Sequence, residues 1–269
     1  MLEQRKLSDA ELMVEIKTVV VSSIRTYIKN YDKKSKTFHP LDYLIPTERK
    51  IRSIVGGIET SIGSTLWEPL AKRLAELGGF EVLDQKLNQP EESTTFLSNV
   101  IANVKEERIT RSVVRDINSV IRENCQHFAG KNIPLKVTTK GQGVDIWLRK
   151  KKTGIHYLFD TKTVRPNMEK FKDLFRQIVD WYSYFYTEFP LEKAECRIVF
   201  PYNPFGAKDF WEKSIKKGWP LAAHSEAWVG NEFWNFLSER ENTLELIFEA
   251  FMEVKTDNTL ELEFKALFN

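Results

Sequence analysis

Two runs of alternating residues constrain the fold of this chain more than any other feature. Val144, Ile146 and Leu148 alternate with Asp145, Trp147 and Arg149; further on, Ile155, Tyr157 and Phe159 alternate with His156, Leu158 and Asp160. Period-2 alternation over runs of this length predicts two half-buried β-strands. The intervening Lys150-Lys151-Lys152-Thr153-Gly154 is polar and ends in glycine, which suits a turn. Pairing Lys150 with Ile155 sets Asp145 opposite Asp160, and directly opposed residues share a face with Cβ atoms about 4.5–5.5 Å apart. Lys162, two residues further on, projects to that same face. The apolar residues, with Thr161, then turn the other way into a core. A slip of one residue would dissolve the arrangement.

Two carboxylates this close do not both ionise cheaply unless a cation lies between them, and hard oxygen donors suit Mg²⁺, which keeps positions for water and phosphate. A cation held there stabilises charge building on phosphate oxygens. A lysine beside the cation orients water or neutralises the phosphate. Taken alone, Asp160-Thr161-Lys162 equally fits an edge strand whose charges face solvent. Three features favour phosphodiester hydrolysis: Gly143-Val144-Asp145 at hairpin distance, the apolar strand before Asp160, and basic surroundings. From Lys131 to Phe159 there are seven Lys or Arg residues and one acid, Asp145. Such a field attracts a polyanion around a lone carboxylate. For Lys150, Lys151 and Lys152 taken separately, a solvated turn is the simpler reading.

Asp145 followed by Asp160-Thr161-Lys162 resembles the PD-(D/E)xK nuclease motif, with Val144 in the proline position and Asp as the second acid. Thr163-Val164-Arg165-Pro166-Asn167, the helix-like stretch after it, and a strand ending in Phe200-Pro201-Tyr202-Asn203-Pro204 resemble the type II restriction endonuclease branch. The resemblance spans roughly residues 50–210. It implies an α/β (mixed α+β) fold, with a restriction-endonuclease-like central mixed β-sheet flanked by helices and helical N- and C-terminal additions. It also implies Mg²⁺-dependent, sequence-specific cleavage of double-stranded DNA, with Mn²⁺ able to substitute, by a homodimer on a palindromic site. A cognate DNA methyltransferase partner is implied by the family alone. Some restriction enzymes with a similar arrangement read GGNCC-like sites, and the resemblance extends to a target of that kind.

On this resemblance Asp145 and Asp160 hold Mg²⁺, the backbone carbonyl of Thr161 adds a ligand, and Lys162 assists the attacking water. The superfamily often adds an acid from a helix before the hairpin. Glu68, in Leu66-Trp67-Glu68-Pro69-Leu70-Ala71, resembles that acid, and Glu59 is the second candidate. Pro69 suits the first turn of a helix, so Glu68 equally fits a capping acid on a helix that Gly78-Gly79 stop near Leu77. Candidates for DNA contact are Lys140, Arg149, Arg165, Asn167 and Asn203. Asn203 could read adenine or touch phosphate, and Arg165 or Asn167 could approach the scissile strand; as loop residues they also fit turns. Two other readings stay open: a repair or recombination nuclease with the same core, and a DNA-binding module without catalysis.

The remaining sequence organises these elements. Ser8-Asp9-Ala10-Glu11 is a capping box that opens a helix, and Glu48 to Ile62 reads as a second helix. Phe80 to Pro90 holds a short strand and a turn, and Thr94 to Phe128 is mostly helical. The aromatic stripe Phe171, Phe175, Trp181, Phe185 predicts a helix over 168–189 with a core or dimer face. Cys196 to Phe200 reads as a buried strand, and Leu244 to Leu267 as helix with strand patches. We expect one domain: a helical segment 1–49, a catalytic core 50–210 and a helical or interface segment 211–269. Cys125 and Cys196 have no CxxC partner, which suits a reducing compartment. His39, His127, His156 and His224 lack zinc-ligand spacing, and His156 reads as a surface residue. With no membrane-length apolar run and no signal-peptide core, the expectation is a cytoplasmic protein without membrane partners.

Overall fold

The computed structural model describes residues 7–31, 38–91, 95–139, 141–163 and 166–268. The capping box forms as read: Ser8 N–H donates to Glu11 Oε2 (2.7 Å) and Glu11 N–H to Ser8 Oγ (3.2 Å). It starts α1 (Asp9–Tyr31), which buries the stripe Leu12, Ile16, Val20 and Ile24. Helix α2 (Pro46–Ile62) runs through a π-helical turn, Gly63–Trp67, into α3 (Glu68–Leu77). Gly78 ends α3 where a Cβ would lie 1.8 Å from the Leu237 carbonyl oxygen, so no other residue allows that approach. Strands β1 (Phe80–Val82) and β2 (Asn88–Pro90) follow, then α4 (Thr95–Arg111), α5 (Ile117–Cys125) and β3 (Leu135–Val137).

The predicted hairpin is β4 (Ile146–Lys150) and β5 (His156–Thr161). Its register is the one deduced by counting: Ile146 pairs with Phe159 and Arg149 with His156, and Lys150 N–H donates to the Ile155 carbonyl at 2.9 Å. Helix α6 (Met168–Glu188) then crosses to β6 (Ala194–Phe200), which lies parallel to β5. After α7 (Phe210–Lys213), β7 (Ala227–Val229) pairs parallel to β6, and α8 (Asn231–Ser238), α9 (Thr243–Thr256) and α10 (Glu261–Phe268) complete the chain. The five-stranded sheet has the order β1-β4-β5-β6-β7, antiparallel on the β1 side and parallel on the β7 side, while β2 and β3 form a separate ribbon.

Helices cover both faces of this sheet. Trp147, Leu158 and Ile198 face a core shared with Phe171, Phe175 and Trp181 of α6 and Ile121 of α5. Ile146, Leu148, Phe159 and Val199 face a second core with α1, α3, α8 and α9. The half-buried expectation for β4 and β5 is therefore corrected: helices pack on both faces of these strands, so each is buried twice. His156 is corrected with it. It is buried, its Nδ1 accepts from Trp147 Nε1 (3.0 Å), and its Nε2 meets Glu192 at 2.6 Å. The aromatic stripe of α6 is core. The segment read as helix with strand patches is helical in α9 and α10, with a turn between them. Among the described residues no helix is long and apolar enough to cross a membrane.

Candidate active site

The hairpin end near Asp145 departs from regular pairing in a way that builds the site. Phe159, already paired with Ile146, also accepts the Asp145 N–H at 3.0 Å, so two residues oppose one, as in a β-bulge. Beyond it, Val144 packs with the α6 core rather than on the Ile146 side where alternation put it. Thr161 is corrected too: its N–H (2.8 Å) and hydroxyl (3.0 Å) both donate to Asp145 Oδ2. The Asp145 carboxylate thus takes the strand-end N–H and is fixed beside β5. The preceding loop is anchored by Trp181, whose Nε1 donates to the Gln142 carbonyl at 2.9 Å.

Asp160 is 3 % exposed, and its Oδ2 is in ion-pair contact with Lys162 Nζ. Oδ2 is buried in that contact, out of reach of solvent. Burial first, then the Asp145 carboxylate, push the Asp160 carboxyl up to about 7, against the opposing pull of Lys162. Lys162 is positioned by β6 as well as β5, because its N–H donates to the Val199 carbonyl at 2.9 Å. The structure therefore brings Asp145, Asp160, Thr161 and Lys162 together.

Glu68 joins them from α3. Its carboxyl is pushed up to about 7 by burial and by Asp145, while Lys72 and Lys162 act in the opposite direction. The expected helix start at Glu68 is not free, because the helix is continuous from α2. The Glu68 N–H donates to the Gly63 carbonyl in the π-turn, and Pro69, lacking an N–H, follows at a point where the ladder is already widened. Ser23 and Thr65 hydroxyls 2.8 Å apart tie that turn to α1. Glu59 is exposed on α2 beside Arg52 and Val55 and is not part of the carboxylate group. Lys72, one turn beyond Glu68, was missed in the sequence; its spacing from Glu68 is the signal that marks it.

The DNA-contact candidates scatter. Lys140 and Arg165 lie outside the described residues. Arg149 is at the other end of β4, about 13 Å along the strand from Asp145, and its charge partner there is Glu81 at 4.0 Å. Asn167 caps α6, its Oδ1 accepting from Lys170 N–H at 2.8 Å. Asn203 holds its own loop, donating to the Gly206 (3.2 Å) and Lys208 (2.7 Å) carbonyls and accepting from Phe205 N–H (3.0 Å).

The donor set tests the fit of a divalent cation. All donors are oxygens, the Asp160 carboxyl is buried against Lys162, and the Asp160 and Glu68 carboxyls are each raised to about 7 by burial and by the Asp145 charge. A hard cation relieves each of these. Among the described residues no group of three or more His, Cys, Asp or Glu converges on one point. An apolar cavity of 620 Å³ between α1, α2, α9 and α10 contains none of these carboxylates.

A central mixed sheet flanked by helices, with acids and a lysine gathered at the ends of its middle strands, is the restriction-endonuclease-like architecture of DNA-cleaving hydrolases. The chain belongs to the HinfI family of type II restriction endonucleases: the family model described as "Type II restriction endonuclease, HinfI" matches residues 10–255. That match encloses every residue of the cluster. Its substrate is DNA, and enzymes of this class generally use a divalent metal. No curated protein matches the chain.

Proposed function

We propose that Asp145, Asp160, Glu68 and Lys162 are the cleavage site of this restriction endonuclease, acting with Mg²⁺ on double-stranded DNA. The observation that carries the reading is the convergence of Asp145 and Lys162 on the buried Asp160 carboxyl. Asp145 and Asp160 would hold the ion, with the Thr161 carbonyl as a further ligand and Mn²⁺ as a substitute. When bound, Mg²⁺ supplies positive charge against the charge building on the phosphate oxygens. Lys162 Nζ, held against Asp160, orients the attacking water and neutralises the phosphate. Glu68, whose carboxyl sits near 7, exchanges a proton with solvent or water at the site. Water adds to phosphorus, its proton passes to a base, one P–O bond to a sugar breaks, and the departing sugar oxygen takes a proton from water.

The reading extends to a single domain over the whole chain, a homodimer on a palindromic target, and a cytoplasmic setting with a cognate methyltransferase. The two-fold partner follows from the symmetry of such a target. The test is single-turnover cleavage by Asp145→Ala and Lys162→Ala, with folding checked by circular dichroism. Loss of cleavage in both folded variants is expected. Full activity in both overturns the site assignment, and sedimentation as a monomer on cleavable DNA overturns the homodimer.

A further inference from the structure

Helix α3 carries Glu68 and Lys72 four residues apart, and side chains at that spacing are neighbours on a helix surface, with Cβ atoms about 5–6 Å apart. Lys72 is half-buried, and its charge acts on the Glu68 carboxyl. The two cations near the carboxylates differ in what they already hold. Lys162 is engaged by Asp160. Lys72 has no ion-pair partner among the described residues, whereas the adjacent Arg73 is tied to Glu15 at 2.9 Å and Glu76 at 3.3 Å. An ammonium with open donors beside the Glu68 carboxyl, on the helix that brings Glu68 to Asp145 and Lys162, has an evident use. A DNA strand brings a negative charge at every phosphate, and the carboxylates repel each of them unless a cation intervenes.

We propose that Lys72 is a phosphate-positioning residue, gripping a backbone phosphate of the DNA strand on the Glu68 side of the cleavage site. The proposal rests on the reading of Asp145, Asp160 and Lys162 as the cleavage centre and deepens it. The phosphate Lys72 holds is a neighbour of the reacting one, so its contribution is to register the strand.

A phosphate contact releases counterions, so each one steepens the salt dependence of binding by about 0.9 in log K against log [salt]. The experiment measures binding of a duplex that the wild type cuts, in EDTA across a KCl series, for wild type, Lys72→Met, Lys72→Gln and Lys72→Arg. Folding is checked by thermal melting. Lys72→Met and Lys72→Gln are expected to bind more weakly with a slope shallower by about 0.9, and Lys72→Arg to keep the wild-type slope. A merely structural role through Glu68 would leave the slope unchanged. An unchanged slope in either folded neutral variant overturns the proposal, as does a shallow slope in Lys72→Arg. The functional reading fails separately: cleavage that survives Asp160→Ala removes the cleavage centre, and this inference with it.

Discussion

Replacing Asp160 by Asn should make the metal-free protein more stable at alkaline pH. Asp160 is buried, and burial together with Asp145 moves its carboxyl from the usual 3.8 to about 7. A carboxyl raised on folding holds its proton more tightly in the native state. Its contribution to stability is therefore full below about pH 4 and is lost as pH rises through about 7. At roughly 1.4 kcal/mol for each pH unit between the two values, the total loss is about 4 kcal/mol, more than half of it between pH 5 and pH 8. In a chain of this size one kcal/mol moves the melting temperature by about 2 °C, so the wild type should lose about 5 °C over that interval that the variant does not. The assay is thermal unfolding by circular dichroism in EDTA at pH 5, 6, 7 and 8. Parallel curves for the two proteins, or a variant that melts lower at pH 8, refute the reasoning. Adding Mg²⁺ at pH 8 should raise the wild-type melting temperature and leave Asp160→Asn nearly unmoved.

Glu68→Gln should slow single-turnover cleavage by roughly 10²-fold or more, on the scale of a lost acid–base group, while Glu59→Gln stays near the wild-type rate; equal effects would remove Glu68 from the site. Glu226 accepts two 3.0 Å bonds from the buried Arg108, which also donates to the Pro220 and Arg115 carbonyls. Glu226→Ala should therefore lower stability by about 3–5 kcal/mol through a stranded guanidinium, and the Arg108→Met, Glu226→Leu pair should recover most of it. Urea midpoints at constant m-value measure both, and an unaffected single variant contradicts the burial argument.

The hairpin register was legible because a period of two leaves no freedom once one face must be filled: Lys150 against Ile155 forces the rest of the ladder. The α1 start and the α6 core stripe were legible for similar reasons, one from a local capping pattern and the other from helical spacing of large aromatics. What alternation could not contain was the end of the hairpin. There Asp145 enters at a bulge and its carboxylate takes Thr161 N–H, a side-chain choice that competes with the ladder. Nor could it announce the burial of the second face, since that depends on α1, α3, α8 and α9, from both ends of the chain, packing over it. Glu68 was visible as a residue type, but its approach depends on a π-turn, a backbone decision made by tertiary packing of Ser23 on Thr65. Asn167 and Asn203 illustrate what loop residues hide: one reads as a side chain near the scissile strand and the other as a contact to adenine or phosphate, and in the structure both bond the local backbone.

The most direct test of the carboxylate site is digestion of unmethylated DNAs with purified protein, in Mg²⁺ and in EDTA, beside Asp160→Ala. Discrete fragments that require metal and vanish in the folded variant are expected, and mapping their ends gives the recognition sequence and tests the GGNCC-like expectation. Fragments that persist with Asp160→Ala, or a wild type that cuts no duplex in any divalent metal, would contradict the account.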